Sequence, residues 1–220
     1  DLNETITVPE DIFEELTAQD ASVAGFNPYE QPTVRDLLYG VLLPSGADAC
    51  ETLARAVGGS EEGFVAMMNQ KAEELGLTNT HFENCTGLHN DNHYSTCRDI
   101  AVLMSECLKS DTFREIVTRE VYTTEATASH PEGITLYDTM LHRFTSYEMS
   151  TTLENGAVIE GGKTGFTDEA GQCLVSFAEY GGEEYILVTA EAMTDSGSAV
   201  DSIADASTVY GSCLLYTSDA

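Results

Sequence analysis

The chain has 220 residues, enough to bury a core as one domain or as two lobes around one cleft. Its 42% hydrophobic and 8% aromatic content and its mean hydropathy of -0.16 are those of a globular protein rather than a disordered one. Nine basic residues against 38 acidic ones give a formal charge of -29, a field that repels nucleic acid and anionic lipid and argues against both as partners.

The acidity reads as a solvated face, with adaptation to high salt as the alternative. No apolar run is long enough to span a bilayer, and no charged start leads into an apolar run, so neither a membrane span nor a signal peptide is expected. Other kinds of membrane contact stay open. The first residues are Asp1-Leu2-Asn3 rather than Met, which suggests a fragment or a processed form. Six cysteines (Cys50, Cys85, Cys97, Cys107, Cys173 and Cys213) are compatible with three disulfides or with buried thiols.

A short strand is expected at Thr5–Val8, then a helix over Pro9–Thr17 and a loop rich in Gly, Asn and Pro. Thr33-Val34-Arg35-Asp36 is a capping-box pattern opening a helix that runs through Leu43 and stops at Pro44. Ser45-Gly46 turns the chain into a second helix over Asp48–Val57, which Gly58-Gly59 terminates. Ser60 caps a third helix whose Phe64, Met67, Met68, Ala72 and Leu75 recur at helical spacing as core filler, ending at Gly76. Thr96-Cys97-Arg98-Asp99 caps a fourth, with Ile100, Leu103, Met104, Cys107 and Leu108 on its buried side.

From Glu115 the pattern turns strand-like, at Ile116-Val117-Thr118, Val121-Tyr122-Thr123 and Gly133–Tyr137. Strands around Val158–Thr164, Gln172–Glu179 and Glu184–Met193, joined by turns at Thr167–Gly171 and Tyr180–Gly182, form a hairpin meander. Ser198–Cys213 is a closing amphipathic helix, and Leu214–Ala220 reads as a frayed or non-native tail. Helices first and antiparallel strands later predict an α+β fold. Its helical lobe covers about 33–110 and its sheet residues about 115–193, with the closing helix at 198–213.

Three patterns carry chemistry. Lys163-Thr164-Gly165, between two strands, sets an ammonium, a hydroxyl and a bare residue side by side, which can hold a carboxylate while a substrate backbone lies alongside. A phosphate loop is excluded, because it needs glycine where Ala157 stands and a helix where a strand follows. Cys85, His89, His93 and Cys97 recur every four residues, but Gly87, Asn90, Asp91 and Asn92 make the stretch a loop; no metal and no cofactor are expected. Ser45 sits in an interhelical turn, where a serine by itself is a cap. No Ser-x-x-Lys occurs: the lysines are Lys71, Lys109 and Lys163, preceded at the third position by Met68, Glu106 and Glu160.

Together these segments resemble the D-alanyl-D-alanine carboxypeptidases, serine peptidases among the low-molecular-mass penicillin-binding proteins. The resemblance rests on Thr33–Gly40 with Leu43-Pro44-Ser45-Gly46, Asn79–Phe82 with Thr86-Gly87-Leu88, His93–Thr96 with Arg98-Asp99, and Gly162–Gly171, in family order over nearly the whole chain. It implies a β-lactamase/transpeptidase-like fold, a helical lobe packed on an antiparallel sheet. It also implies release of the terminal D-alanine from peptidoglycan stem peptides through an acyl-enzyme, inhibition of the full-length enzyme by β-lactam antibiotics, and an extracytoplasmic location.

By the same resemblance Ser45 relays a proton toward the leaving amine. Lys163 supplies positive potential and orients Ser45, and the Thr164 hydroxyl holds the substrate carboxylate. Gly165 lets the substrate strand approach, and the Phe166 N–H gives half of the oxyanion hole. Two departures stand out. Ala47 replaces the family's asparagine, and the Ser-x-x-Lys is missing.

The second departure suggests that the N-terminal strands and nucleophile helix are cut away. This chain alone is then expected to be poorly stable and inactive, with Tyr185-Ile186-Leu187-Val188 as an uncovered apolar edge. One alternative is a non-catalytic stem-peptide binding module. A serine β-lactamase is another, opposed by the His93–Thr96 and Thr167–Gly171 blocks and by the lack of a Glu-x-x-Leu-Asn segment.

Overall fold

The computed structural model describes residues 1–192 and 201–213. In chain order the first elements are α1 (Ile12–Ala18), α2 (Val34–Leu42), α3 (Ala47–Gly58), α4 (Glu61–Glu74), α5 (Cys97–Cys107) and α6 (Asp111–Val117). There follow β1 (Val121–Thr123), β2 (Thr135–Tyr137), α7 (Leu141–Ser146), β3 (Val158–Thr167), β4 (Gly171–Tyr180), β5 (Glu183–Ala192) and α8 (Asp201–Cys213). The chain forms two compact units, one of residues 1–95 with 120–138, the other of 96–119 with 139–220.

In the first unit, the capping box expected at Thr33 closes in both directions: the Asp36 amide donates to the Thr33 hydroxyl and the Thr33 amide to the Asp36 carboxylate. Asp36 also accepts from the Tyr122 hydroxyl at 2.9 Å and the Glu125 amide at 3.2 Å, so one carboxylate caps α2 and anchors the β1–β2 hairpin to it. Tyr122 stacks on buried Tyr39 with ring centroids 3.7 Å apart. Leu37, Leu43, Ala49 and Ala54 bury the inner faces of α2 and α3. The strand expected at Thr5–Val8 is extended chain with a single bridge, Thr5 to Thr33.

The second unit is built on an antiparallel sheet of order β3-β4-β5. Alternation along β4 separates its two faces. Leu174 and Ala178 pack with Ile159 of β3, Leu141 and Phe144 of α7, and Ile203, Ala206 and Tyr210 of α8. Val175 and Phe177 turn the other way, onto Met104 and Leu108 of α5 and Phe113 and Val117 of α6. The Tyr210 hydroxyl donates to the Ser176 carbonyl at 2.9 Å, and burial pushes its phenol up to about 12.

Two local expectations are corrected. Ile116 and Val117 lie in a helix, α6, not a strand. The Ser110 hydroxyl accepts from the Phe113 amide, and Phe113 and Val117 then pack against Val175 and Phe177 of β4, with Ile116 also buried. Packing of that apolar stripe overrides the strand preference of two β-branched residues. The short helix α7 was not foreseen; its buried Leu141 and Phe144 are three residues apart. The strand end expected at Met193, the helix start expected at Ser198 and the tail 214–220 lie outside the described residues. The apolar run Tyr185–Val188 lies on β5, an end strand of the described sheet, and is half-buried between α8 and α5.

Candidate functional site

Strand β3 carries the Lys163–Phe166 segment, and its local sequence explains how it is seated. A register shift between Ile159 and Gly161 marks a bulge at the start of the run. A Cβ on Gly161 would lie 2.3 Å from the Val117 carbonyl oxygen at the end of α6. One on Gly162 would lie 2.4 Å from the Val175 carbonyl oxygen and 2.9 Å from the Met140 sulfur. Both glycines are therefore packing requirements, letting α6 and Met140 press onto the strand. Gly161→Ala is expected to destabilise the protein by about 1–3 kcal/mol, read as a lower denaturant midpoint, because backbone rather than a flexible side chain must yield.

The next four residues pair with β4 in unbroken register, Lys163 with Val175, Thr164 with Leu174, Gly165 with Cys173 and Phe166 with Gln172. Partners across a ladder share a face, so Lys163 projects to the side of α5 and α6 and Thr164 to the side of α7 and α8. Lys163 is half-buried and its ammonium donates to the Thr164 carbonyl at 2.9 Å. The Thr164 hydroxyl meets the Thr139 hydroxyl at 2.6 Å, which fixes its rotamer.

Gly165 differs from the glycines before it. A Cβ there would meet only the Cys173 Cβ, at an ordinary 3.8 Å, so the protein's own packing does not demand a bare residue. Phe166 beside it is 66% exposed, a large apolar ring with little covering it. As an end strand of the described sheet, β3 offers its outer edge for main-chain pairing with an extended ligand.

Ser45 belongs to the first unit, in the turn between α2 and α3. Its φ of 63° is left-handed, a conformation that persists in a residue with a side chain only where the surroundings impose it. They do so here. The Gly46 amide donates to the Gly40 carbonyl at 2.9 Å and the Ala47 amide to the Ser22 carbonyl at 2.8 Å. The Asp48 carboxylate, fully buried, accepts from the amides of Ala24, Gly25, Phe26 and Ala49 at 2.7–3.0 Å. Ala47, where the resemblance expects asparagine, is buried.

Sequence reading missed two of these residues. Thr139 is far from Thr164 in the chain, and nothing local marks it. Asp48 was visible as the third residue after Ser45, but its bonds reach a loop more than twenty residues upstream. The His89–His93 stretch is loop, as expected, with His89 beside Asp91 at 3.3 Å and His93 accepting from the Glu83 amide. Among the described residues, the side chains gathered as a metal requires are instead Glu51, Glu61 and Cys85 of the first unit.

The sequence profile of the D-alanyl-D-alanine carboxypeptidases matches residues 1–194. The chain is 36% identical over 168 residues to D-alanyl-D-alanine carboxypeptidase DacF of Bacillus subtilis, covering 76% of this chain and 40% of that one. It is 35% identical over 191 residues to the D-alanyl-D-alanine carboxypeptidase of Streptomyces sp. strain K15, covering 84% and 63%. It thus spans less than two thirds of the length of these curated relatives. A point variant of the Streptomyces K15 DD-transpeptidase superimposes with a TM-score of 0.82 at 31% identity, over 96% of this chain and 79% of that one. A D-alanyl-D-alanine carboxypeptidase from Mycobacterium tuberculosis gives 0.78 at 26% identity, over 100% and 76%.

Proposed function

Because the chain belongs to the D-alanyl-D-alanine carboxypeptidase family, we propose that it supplies the carboxylate-gripping part of a serine peptidase acting on peptidoglycan stem peptides. The reaction splits the terminal D-alanyl-D-alanine bond. A serine oxygen bonds to the penultimate carbonyl carbon, the C–N bond to the last D-alanine breaks, and the leaving amine takes up a proton. Water then hydrolyses the ester.

One observation carries this reading: Lys163, Thr164, Gly165 and Phe166 follow one another on an end strand whose bare residue internal packing does not require. In this proposal the Lys163 ammonium and Thr164 hydroxyl bind the substrate's terminal carboxylate, with Thr139 orienting Thr164. Gly165 admits the substrate backbone, and the Phe166 N–H donates to the developing oxyanion. Ser45 passes a proton toward the leaving amine. β-Lactams, as mimics of the same peptide end, acylate the same serine, and the protein works outside the cytoplasmic membrane. No helix among the described residues is long and apolar enough to cross a membrane.

A second reading, a stem-peptide binding module without catalysis, is favoured by the absence of any Ser-x-x-Lys from the 220 residues. Fluorescent penicillin separates the two. Protein made from the complete reading frame is expected to take up covalent label, and a polypeptide of these residues alone to take none. A complete product that binds stem peptide without acquiring label overturns the peptidase reading in favour of the binding module.

A further inference from the structure

In the first unit, three side chains with metal-binding atoms converge where α3, the start of α4 and the loop after α4 meet. Glu51 lies on α3, Glu61 opens α4, and Cys85 lies in the loop. One donor atom from each of the three lies within 4.8 Å of the others. The Cys85 thiol is 3.7 Å from a Glu51 carboxylate oxygen, and the Cys85 amide donates to Glu61 at 3.1 Å. Cys50, beside Glu51 on α3, brings a second thiol, 3.0 Å from the Cys85 carbonyl oxygen.

This is not a solvated acidic patch. Glu51 is only 7% exposed, and Glu61, Cys85 and Cys50 are half-buried. Among the described residues, Arg55 is a cation close to it, which reaches Glu51 through Nε at 3.4 Å while its closer bond, at 2.7 Å, goes to Asp11. Without a cation the cluster crowds acidic groups into a poorly solvated space.

We propose that Glu51, Glu61 and Cys85 bind one divalent cation of the zinc class, with the Cys50 thiol beside Cys85. One thiol and two carboxylates from three separate segments give three anionic donors and leave a fourth position for water. That number and mixture suits a four-coordinate borderline-soft ion, whereas magnesium and calcium call for all-oxygen shells. Such an ion pins the loop around Cys85 to α3, the helix that begins just after the Ser45 turn. The regular Cys/His interval that stands out in the sequence is not the site. The donors that meet are scattered along it.

The test titrates the full chain, stripped with a chelator and kept reduced, with Zn²⁺, and in parallel with Cd²⁺, whose thiolate bond has its own ultraviolet charge-transfer band. One ion per chain and a higher melting temperature are expected. Glu51→Gln and Glu61→Gln should each weaken binding by about 10-fold or more, Cys85→Ser should abolish the Cd²⁺ band, and Cys107→Ser should change nothing. Glu61 opens its helix and is half-exposed, so E61Q reports on the site even if E51Q fails to fold. The proposal is overturned by sub-stoichiometric ion, by equal affinity in E61Q and parent, or by a Cys50–Cys85 disulfide in protein isolated without reductant.

Discussion

Lys163→Ala is expected to slow penicillin acylation of the protein made from the complete reading frame by about 10²- to 10³-fold, or about 3–4 kcal/mol of transition-state stabilisation. The size follows from what the ammonium does in the proposed site. It sits midway along β3, an end strand of the described sheet, half-buried, in a chain whose overall field of -29 opposes any anionic ligand. A local cation is what makes an approaching carboxylate favourable there, and a charge-assisted hydrogen bond in a partly desolvated place is worth more than a neutral one. Lys163→Arg keeps the charge but replaces a compact ammonium by a planar fork, so it should recover only part of the rate. An alanine variant that acylates at the parent rate means that Lys163 has no part in the chemistry.

Asp48→Ala should have the largest effect on stability, about 3–5 kcal/mol lost, seen as a lower denaturant midpoint. The carboxylate is fully buried and satisfies four backbone amides, those of Ala24, Gly25, Phe26 and Ala49. Alanine removes the acceptor and leaves the donors facing apolar surroundings. Asparagine keeps one acceptor oxygen but points an NH₂ at donors, so it should fall between the two. Against a typical total of about 5–15 kcal/mol, the alanine loss is a large fraction. The same carboxylate lies three residues after Ser45, which is held at positive φ, so the prediction also bears on the role proposed for Ser45. A loss below about 1 kcal/mol means that this network does not hold the turn.

Where a signal is local, the sequence shows it. The caps at Thr33, Ser60 and Thr96, the turn at Ser45-Gly46 and the strand carrying Lys163-Thr164-Gly165 all lie where residue pattern places them, because a cap or a hairpin involves neighbours only. What was not legible depends on residues far apart. Helix α6 is read as strand from Ile116-Val117 because the stripe that makes it a helix is recognisable only against β4. Thr139 has meaning only beside Thr164, and Asp48 only beside a loop folded back from upstream. Cys85 was noticed for a spacing with histidines that form no such cluster, while its neighbours in space, Glu51 and Glu61, stand on other helices.

The grip on a terminal carboxylate is tested most directly by comparing an N-acylated D-Ala-D-Ala peptide with the same peptide ended as an amide. The parent protein should prefer the free acid by about 10- to 100-fold, the range expected for hydrogen bonds to a charged group. Lys163→Ala and Thr164→Val should each reduce that preference toward unity while leaving affinity for the amide nearly unchanged. Equal discrimination in parent and variants would contradict the account, because the carboxylate would then be held by something other than this strand.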